Sequence, residues 1–254
     1  MSYVNKLFIY VFMIVIIGLI ASSHAEDLSN LNPALISQIN NYNINNYYSD
    51  SGLGSFWGLC CWYEDIDIKN PFKDGKPNYK KYDLLSTLKE GDVVYDPTGF
   101  DSLTGHTLIV EGKFKDPVSG EEYIRGIEAS GYVSESGVVC KVFRSIIDDS
   151  RVDDKSLEFY RLSNGLDKMQ RDTVLNFLTK QLGKPYTFNY FYVLSPFPYD
   201  VNTREWYCSL FVWAAYRNIG MDIRQTKKGN PTPFVIWPAD ISRNSKILDR
   251  VSKI

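Results

Sequence analysis

The chain has 254 residues, with 28 Lys and Arg set against 30 Asp and Glu, and 15% of its residues are aromatic. Once Lys6 is lost with an N-terminal leader, the mature charge is about −3, which argues against nucleic-acid or membrane-surface binding. No block of Lys and Arg interleaves with aromatics as a nucleic-acid groove requires.

Residues 1–25 read as a signal peptide. Lys6 is the positive flank, Leu7 to Ala21 is an almost unbroken apolar run, and Ser23-His24-Ala25 offers small residues at the cleavage positions. The run is too short for a comfortable bilayer span. The mature protein is therefore expected to be secreted, or delivered to an endolysosomal or other extracytoplasmic compartment, without stable membrane insertion. His24 departs with the leader, which leaves His106 as the sole histidine.

Residues 26–84 form an Asn-rich N-terminal arm with no role legible in the sequence. Leu28, Leu31, Leu35 and Ile39 could share one helical face, although Asn is a poor helix former. Loop signals, among them Phe56-Trp57 and Asn70-Pro71, fill residues 51–81.

From residue 85 to the end, regular structure is expected. The turn Glu90-Gly91 leads into a strand over Asp92-Val93-Val94-Tyr95, and Asp96-Pro97-Thr98-Gly99 ends it. A second strand runs from His106 to Glu111, turns at Asp116-Pro117-Val118-Ser119-Gly120, and returns over Glu122 to Glu128. Further strands are predicted over Gly137 to Phe143 and Ser156 to Leu162. Leu166, Met169, Val174, Phe177, Leu178 and Leu182 then share a helix face, with Gly183 as its stop. After a long loop, Cys208 to Ile219 reads as a buried helix ended by Gly220. Strands, helix, loop, helix is the order of an α+β domain built on an antiparallel sheet.

Three residues in this frame suit thiol chemistry. Cys208 stands where Trp206-Tyr207-Cys208-Ser209 meets an apolar helix, so its sulfur falls in the first turn. There, unpaired backbone N–H groups and the helix dipole favour a thiolate and could serve an oxyanion. His106 is the only imidazole available as its partner, at the start of a strand just after a loop. If that strand turns near Val118 and returns, His106 faces a residue near 130, which brings Glu128 within reach as the group that orients the ring. Glu111 and Ser130 are the reserves. Singly, each of the three has a plainer reading: a packing thiol, a surface imidazole, an edge glutamate.

Together with their flanks, these residues resemble a known family. Leu182-Gly183-Lys184-Pro185-Tyr186, followed by Tyr207-Cys208-Ser209 and an apolar helix, is similar to the NlpC family of papain-like peptidases. There the cysteine precedes the histidine, whereas here His106 comes first, the order of the circularly permuted branch, the YaeF/YiiX-type amidases. Gly91-Asp92, Gly105 to Val110, Ile127 to Ala129 and Pro238-Ala239-Asp240 also resemble that branch. The resemblance implies a permuted papain-like α+β fold, its antiparallel sheet or barrel packed on helices. It also implies Cys208 as nucleophile, His106 as base, Glu128 as orienting residue, and Tyr186 near the oxyanion or substrate. Leu210 departs from the acidic residue that often follows Cys-Ser, and no Gly-Gly follows Tyr186.

With Cys208 as a free thiol, a disulfide from Cys140 to Cys60 or Cys61 would tie the arm to the core in an oxidising compartment. Cys60-Cys61 lacks the two-residue gap of a zinc knuckle, so neither a metal site nor a cofactor is expected. The function expected is acyl transfer to water from an amide, peptide or peptidoglycan-like, or from an ester. The substrate is then a small peptide, a cell-wall fragment or a lipid-like molecule. The rivals are a lipid acyltransferase on the same fold and a non-catalytic secreted binding module.

Overall fold

The computed structural model describes residues 65–73, 75–98, 105–134, 137–186, 205–225, 236–244 and 246–251, with the side chains of 131–140 left aside. The expected signal peptide, the expected apolar face of residues 28–39, Cys60, Cys61 and the side chain of Cys140 lie outside the described residues, and so does the disulfide expected between them.

Among the described residues the elements run α1 (Leu84–Thr87), β1 (Val93–Asp96), β2 (His106–Lys115), β3 (Glu122–Ser134), β4 (Gly137–Ile146), α2 (Asp149–Lys155), β5 (Glu158–Leu162), α3 (Lys168–Lys180), α4 (Cys208–Arg217), α5 (Pro238–Ser242) and β6 (Leu248–Val251). The six strands form one sheet in the order β4-β3-β2-β1-β5-β6. Every pairing is antiparallel.

Alternation along the strands sends apolar side chains to both faces. Val93, Ile109, Ile127 and Val142 join a core with Val174, Phe177 and Leu178 of α3 and the whole of α4 from Leu210 to Tyr216. Val94, Leu108, Val110 and Ile124 face the other way, into a core with Leu84, Leu88, Ile147, Val152 and Phe159. A sheet covered on both faces explains why these strands read as nearly continuous hydrophobic runs.

The elements predicted from residue 85 onwards are present, with some shifts. β2 continues to Lys115, past the expected end at Glu111. It does so through a bulge between Val110 and Gly112, across which the register with β3 slips by one. The strand expected from Ser156 begins at Glu158, because Ser156 is the left-handed cap of α2, with φ of +52°. Helix α2 has no counterpart in the sequence reading. Its seven residues, Asp-Ser-Arg-Val-Asp-Asp-Lys, carry no apolar period, and the Asp148 side chain caps its start by accepting from Arg151 N.

The segment before α1 lies against this domain. Asn78 N and Lys81 N donate to the carboxylates of Asp148 and Asp149 at 3.0 and 2.6 Å, and Asp149 N donates to Asn78 O at 2.9 Å. Tyr79 Oη donates to Ile147 O at 3.0 Å and accepts from Ile124 N at 2.8 Å. The start of α2 is thereby fastened to the chain that precedes the sheet.

Candidate active site

Cys208 is the first residue of α4, and its Tyr207 N-cap is extended and supplies no side-chain cap. The first-turn N–H groups are therefore free of a side-chain cap and point at the sulfur's end of the helix. Both neighbours of Cys208 brace this end. Tyr207 Oη accepts from Ile236 N at 3.1 Å, and Ser209 Oγ donates to Ile236 O at 2.5 Å. Ile236 directly precedes Trp237 and the Pro238-Ala239-Asp240 element, where Asp240 Oδ2 accepts from Trp237 N at 3.0 Å and caps α5. The Cys-Ser and Pro-Ala-Asp elements are thus two halves of one clasp.

The Gly-Lys-Pro-Tyr element reaches the same place from the other side. Gly183 N donates to Val142 O at 2.9 Å, Val142 N to Lys184 O at 2.8 Å, and Trp206 N to Pro185 O at 3.0 Å. Tyr186 forms a backbone bridge with Trp206, two residues before Cys208, and is half-buried against the α3–α4 core. Trp206 is fully buried and donates from Nε1 to Gln181 Oε1 at 3.2 Å.

His106 opens β2 opposite Asp96. Gly105 before it holds φ of +72°, and a Cβ there would meet Tyr95 Cε2 at 2.9 Å and Asp96 O at 3.0 Å. Only glycine serves at that turn. The imidazole neighbours the Cys208 thiol, close enough for each to shift the other's proton affinity. Its Nε2 lies 2.7 Å from Glu128 Oε2, so Nδ1 is the nitrogen left for the thiol. The register explains the meeting with Glu128. Ile109 pairs with Ile127, so Glu128 sits one residue on as β2 runs back towards His106, a diagonal neighbour across the two strands.

Glu128 itself is buried, at 2% exposure, and its hydrogen-bond partners among the described residues are all donors. Arg151 grips it through both nitrogens, Nη1 to Oε1 at 3.0 Å and Nη2 to Oε2 at 3.1 Å. Ser145 Oγ donates to Oε1 and accepts from Arg151 Nη1 at 2.8 Å. Ser145 is two residues along β4 from Phe143, the partner of Glu128, and so shares its face.

The electrostatics follow from these contacts. Burial would raise the Glu128 carboxyl, but the Arg151 charge, followed by the His106 hydrogen bond and charge, takes it well below the usual carboxylate range. For His106, burial alone would lower the pKa; hydrogen bonds and charges from Cys208 and Glu128 override it and raise it from 6.5 to about 10. Burial would raise the Cys208 thiol, yet His106 and the backbone N–H groups of Thr107 and Ser209 bring it below its ordinary value. The directions of these three shifts all favour a thiolate–imidazolium pair with an ionised carboxylate behind it.

Cys208, His106 and Glu128, the three residues singled out in the sequence, therefore meet. Of the reserves, Glu111 is engaged elsewhere, by Arg125 and Arg144. Ser145 and Arg151 were missed. Ser145 could have been reached by continuing the β3–β4 hairpin register, whereas an arginine in an acidic stretch gives no signal of burial. Among the described residues, no group of three or more His, Cys, Asp or Glu side chains is placed to hold a metal ion.

The sequence model of the family described as permuted papain-like amidase enzyme, YaeF/YiiX, C92 family, matches residues 87–235. Among solved structures, the crystal structure of the metalloprotein yiiX from Escherichia coli O157:H7 is similar to this chain at 17% identity. The match covers 66% of this chain and 98% of that one, with a TM-score of 0.40. No curated protein matches.

Proposed function

We propose, from the premise that this chain belongs to the permuted papain-like amidase family, that it is an exported cysteine amidase with Cys208 as nucleophile, His106 as acid and base, and Glu128 as orienting residue. The observation that carries the reading is the series Cys208–His106–Glu128, in which His106 Nε2 lies 2.7 Å from Glu128 Oε2 and the neighbouring sulfur stands at a helix start. Within a cysteine hydrolase family, that series is the arrangement nucleophilic catalysis needs.

The Cys208 thiolate attacks the amide carbon, and the carbonyl π electrons move to oxygen. The backbone N–H groups at the start of α4 are suited to receive that oxyanion. As the carbonyl re-forms, the C–N bond breaks and imidazolium His106 gives its proton to the departing amine. The resulting thioester is attacked by water, whose proton returns to His106. The C–S bond then breaks, releasing a carboxylic acid and the thiolate. Throughout, Glu128 holds Nε2 and stabilises the imidazolium.

A small peptide or peptidoglycan-like amide is the substrate class we favour, on the strength of the family's amidase chemistry. Export rests on the leader-like residues 1–25.

The test is the pH dependence of iodoacetamide alkylation at Cys208, read by mass spectrometry in the wild type and in His106→Ala, alongside release of amine from small peptide amides. A thiol reacting with an apparent pKa well below about 8.5, raised by the mutation, is the expected result. An inert Cys208, or one indifferent to His106, would sink the catalytic reading. Amine release without added acceptor separates a hydrolase from an acyltransferase.

A further inference from the structure

We propose that Arg151 is a positioning residue of this site, holding Glu128 in the single orientation that presents Oε2 to His106 and supplying the charge that lets a buried thiolate persist at Cys208. The inference rests on the catalytic reading above.

The geometry is that of a fork on a carboxylate. Arg151 is 1% exposed and reaches both oxygens of Glu128. Oε1 also receives the Ser145 hydroxyl, while Oε2 also receives His106 Nε2. Four donors meet about four acceptor positions on an ionised carboxylate, so the group has no second orientation that keeps all its bonds. The arginine is held as firmly. Its own N–H bonds the Asp148 cap at 3.1 Å, and Asn78 and Lys81 grip the two aspartates that begin its helix. These bonds fix the backbone from which the Arg151 side chain reaches Glu128.

The charges argue for more than structural pairing. Cys208, His106, Glu128 and Arg151 carry alternating signs when the thiol is ionised, and they sum to zero in a buried place. Without Arg151, and with His106 still protonated, the thiolate form sums to −1 and the thiol form to zero. A poorly solvated site favours the neutral total, so the sulfur takes up a proton from solvent more readily. A merely structural arginine would leave the reactivity of a folded thiol unchanged.

Two substitutions separate orientation from charge. In Arg151→Met, the apparent pKa of Cys208 alkylation should rise by about one unit or more, with roughly tenfold slower alkylation at pH 7. In Arg151→Lys the charge stays and the fork goes, so the alkylation profile should remain near wild type. For that variant kcat on a peptide amide should fall at least about tenfold with KM little changed. Each is compared at equal folded fraction, read by near-ultraviolet circular dichroism. Should Arg151→Met not fold, Arg151→Lys alone decides: wild-type kcat in the folded lysine variant would overturn the proposal. So would an unmoved alkylation pKa in folded Arg151→Met. Either result leaves the catalytic reading intact, provided that wild-type Cys208 is activated and depends on His106. If that activation is absent, the earlier reading fails first.

Discussion

Two buried glutamates of the same sheet meet different partners. Glu111 lies at the β2 bulge and is 6% exposed; it takes Arg125 Nε on Oε2 and Arg144 Nη2 on Oε1 at 2.9 Å, with the Arg125 guanidinium 3.5 Å above the Phe114 ring. Glu128, on the neighbouring strand, has one arginine, one hydroxyl and one imidazole. Both clusters compensate a buried carboxylate, which otherwise costs several kcal/mol. The difference lies in the third partner. Arginines close off Glu111, while at Glu128 a group that can move a proton stands between the carboxylate and a thiol. Burial and ion pairing alone therefore do not single out Glu128; its titratable partner, with a second neighbour, does.

The largest break in this comparison is Glu128→Gln. The amide keeps the shape but presents a donor to either His106 or Arg151, so kcat should fall about 10²- to 10⁴-fold, the range of general acid–base contributions. Thermal unfolding should register the unpaired Arg151 as a loss of about 3 kcal/mol. Wild-type turnover in this variant would remove Glu128 from the mechanism.

A smaller effect on rate, and a sharper one in assignment, comes from pH. His106 has its pKa raised from 6.5 to about 10 in the folded state. Stability from its ion pairs is thus fully present below 6.5 and is lost as pH rises through about 10. Activity should rise as Cys208 ionises and decline only near pH 10, tenfold per unit. Because the Glu111 cluster contains no histidine or thiol, Glu111→Gln should leave that alkaline limb in place. A limb near 6.5 would contradict the ion pair.

The smallest effect on catalysis is expected for Glu111→Gln itself. Its turnover should stay within about twofold of wild type while stability drops by about 2 kcal/mol, less than at Glu128 because Arg144 is 22% exposed and can reach water. A loss of rate equal to that of Glu128→Gln would erase the distinction between the two glutamates.

Much of the site was legible because its residues sit on strongly patterned elements. A lone histidine at the head of a β-branched strand, a return strand with Ile-Glu-Ala, and a cysteine at the start of an apolar helix fixed three positions. The strand order of the hairpin then brought two of them together. What stayed hidden depended on contacts between elements far apart in sequence. Arg151 lies in a helix whose Asp149, Asp153 and Asp154 look like a solvated face, yet its side chain is 1% exposed. Nothing in the sequence tells a capping aspartate such as Asp148 from a surface one until Asn78 is seen to hold it, as Lys81 holds Asp149. The bulge at Glu111 was equally silent, since Gly112 in a strand signals a kink without saying which side chain it redirects.

The clasp on Ile236 also bears on timing. Tyr207 and Ser209 flank the nucleophile and both grip a backbone unit that lies 27 residues beyond Ser209. A chain emerging from the ribosome has made Cys208 before it has made the strap that squares the helix start. The contacts on Ile236 can close only after that later segment has been made. On the catalytic reading proposed above, the helix start that would activate the sulfur is therefore squared by one of the last stretches of chain to be synthesised.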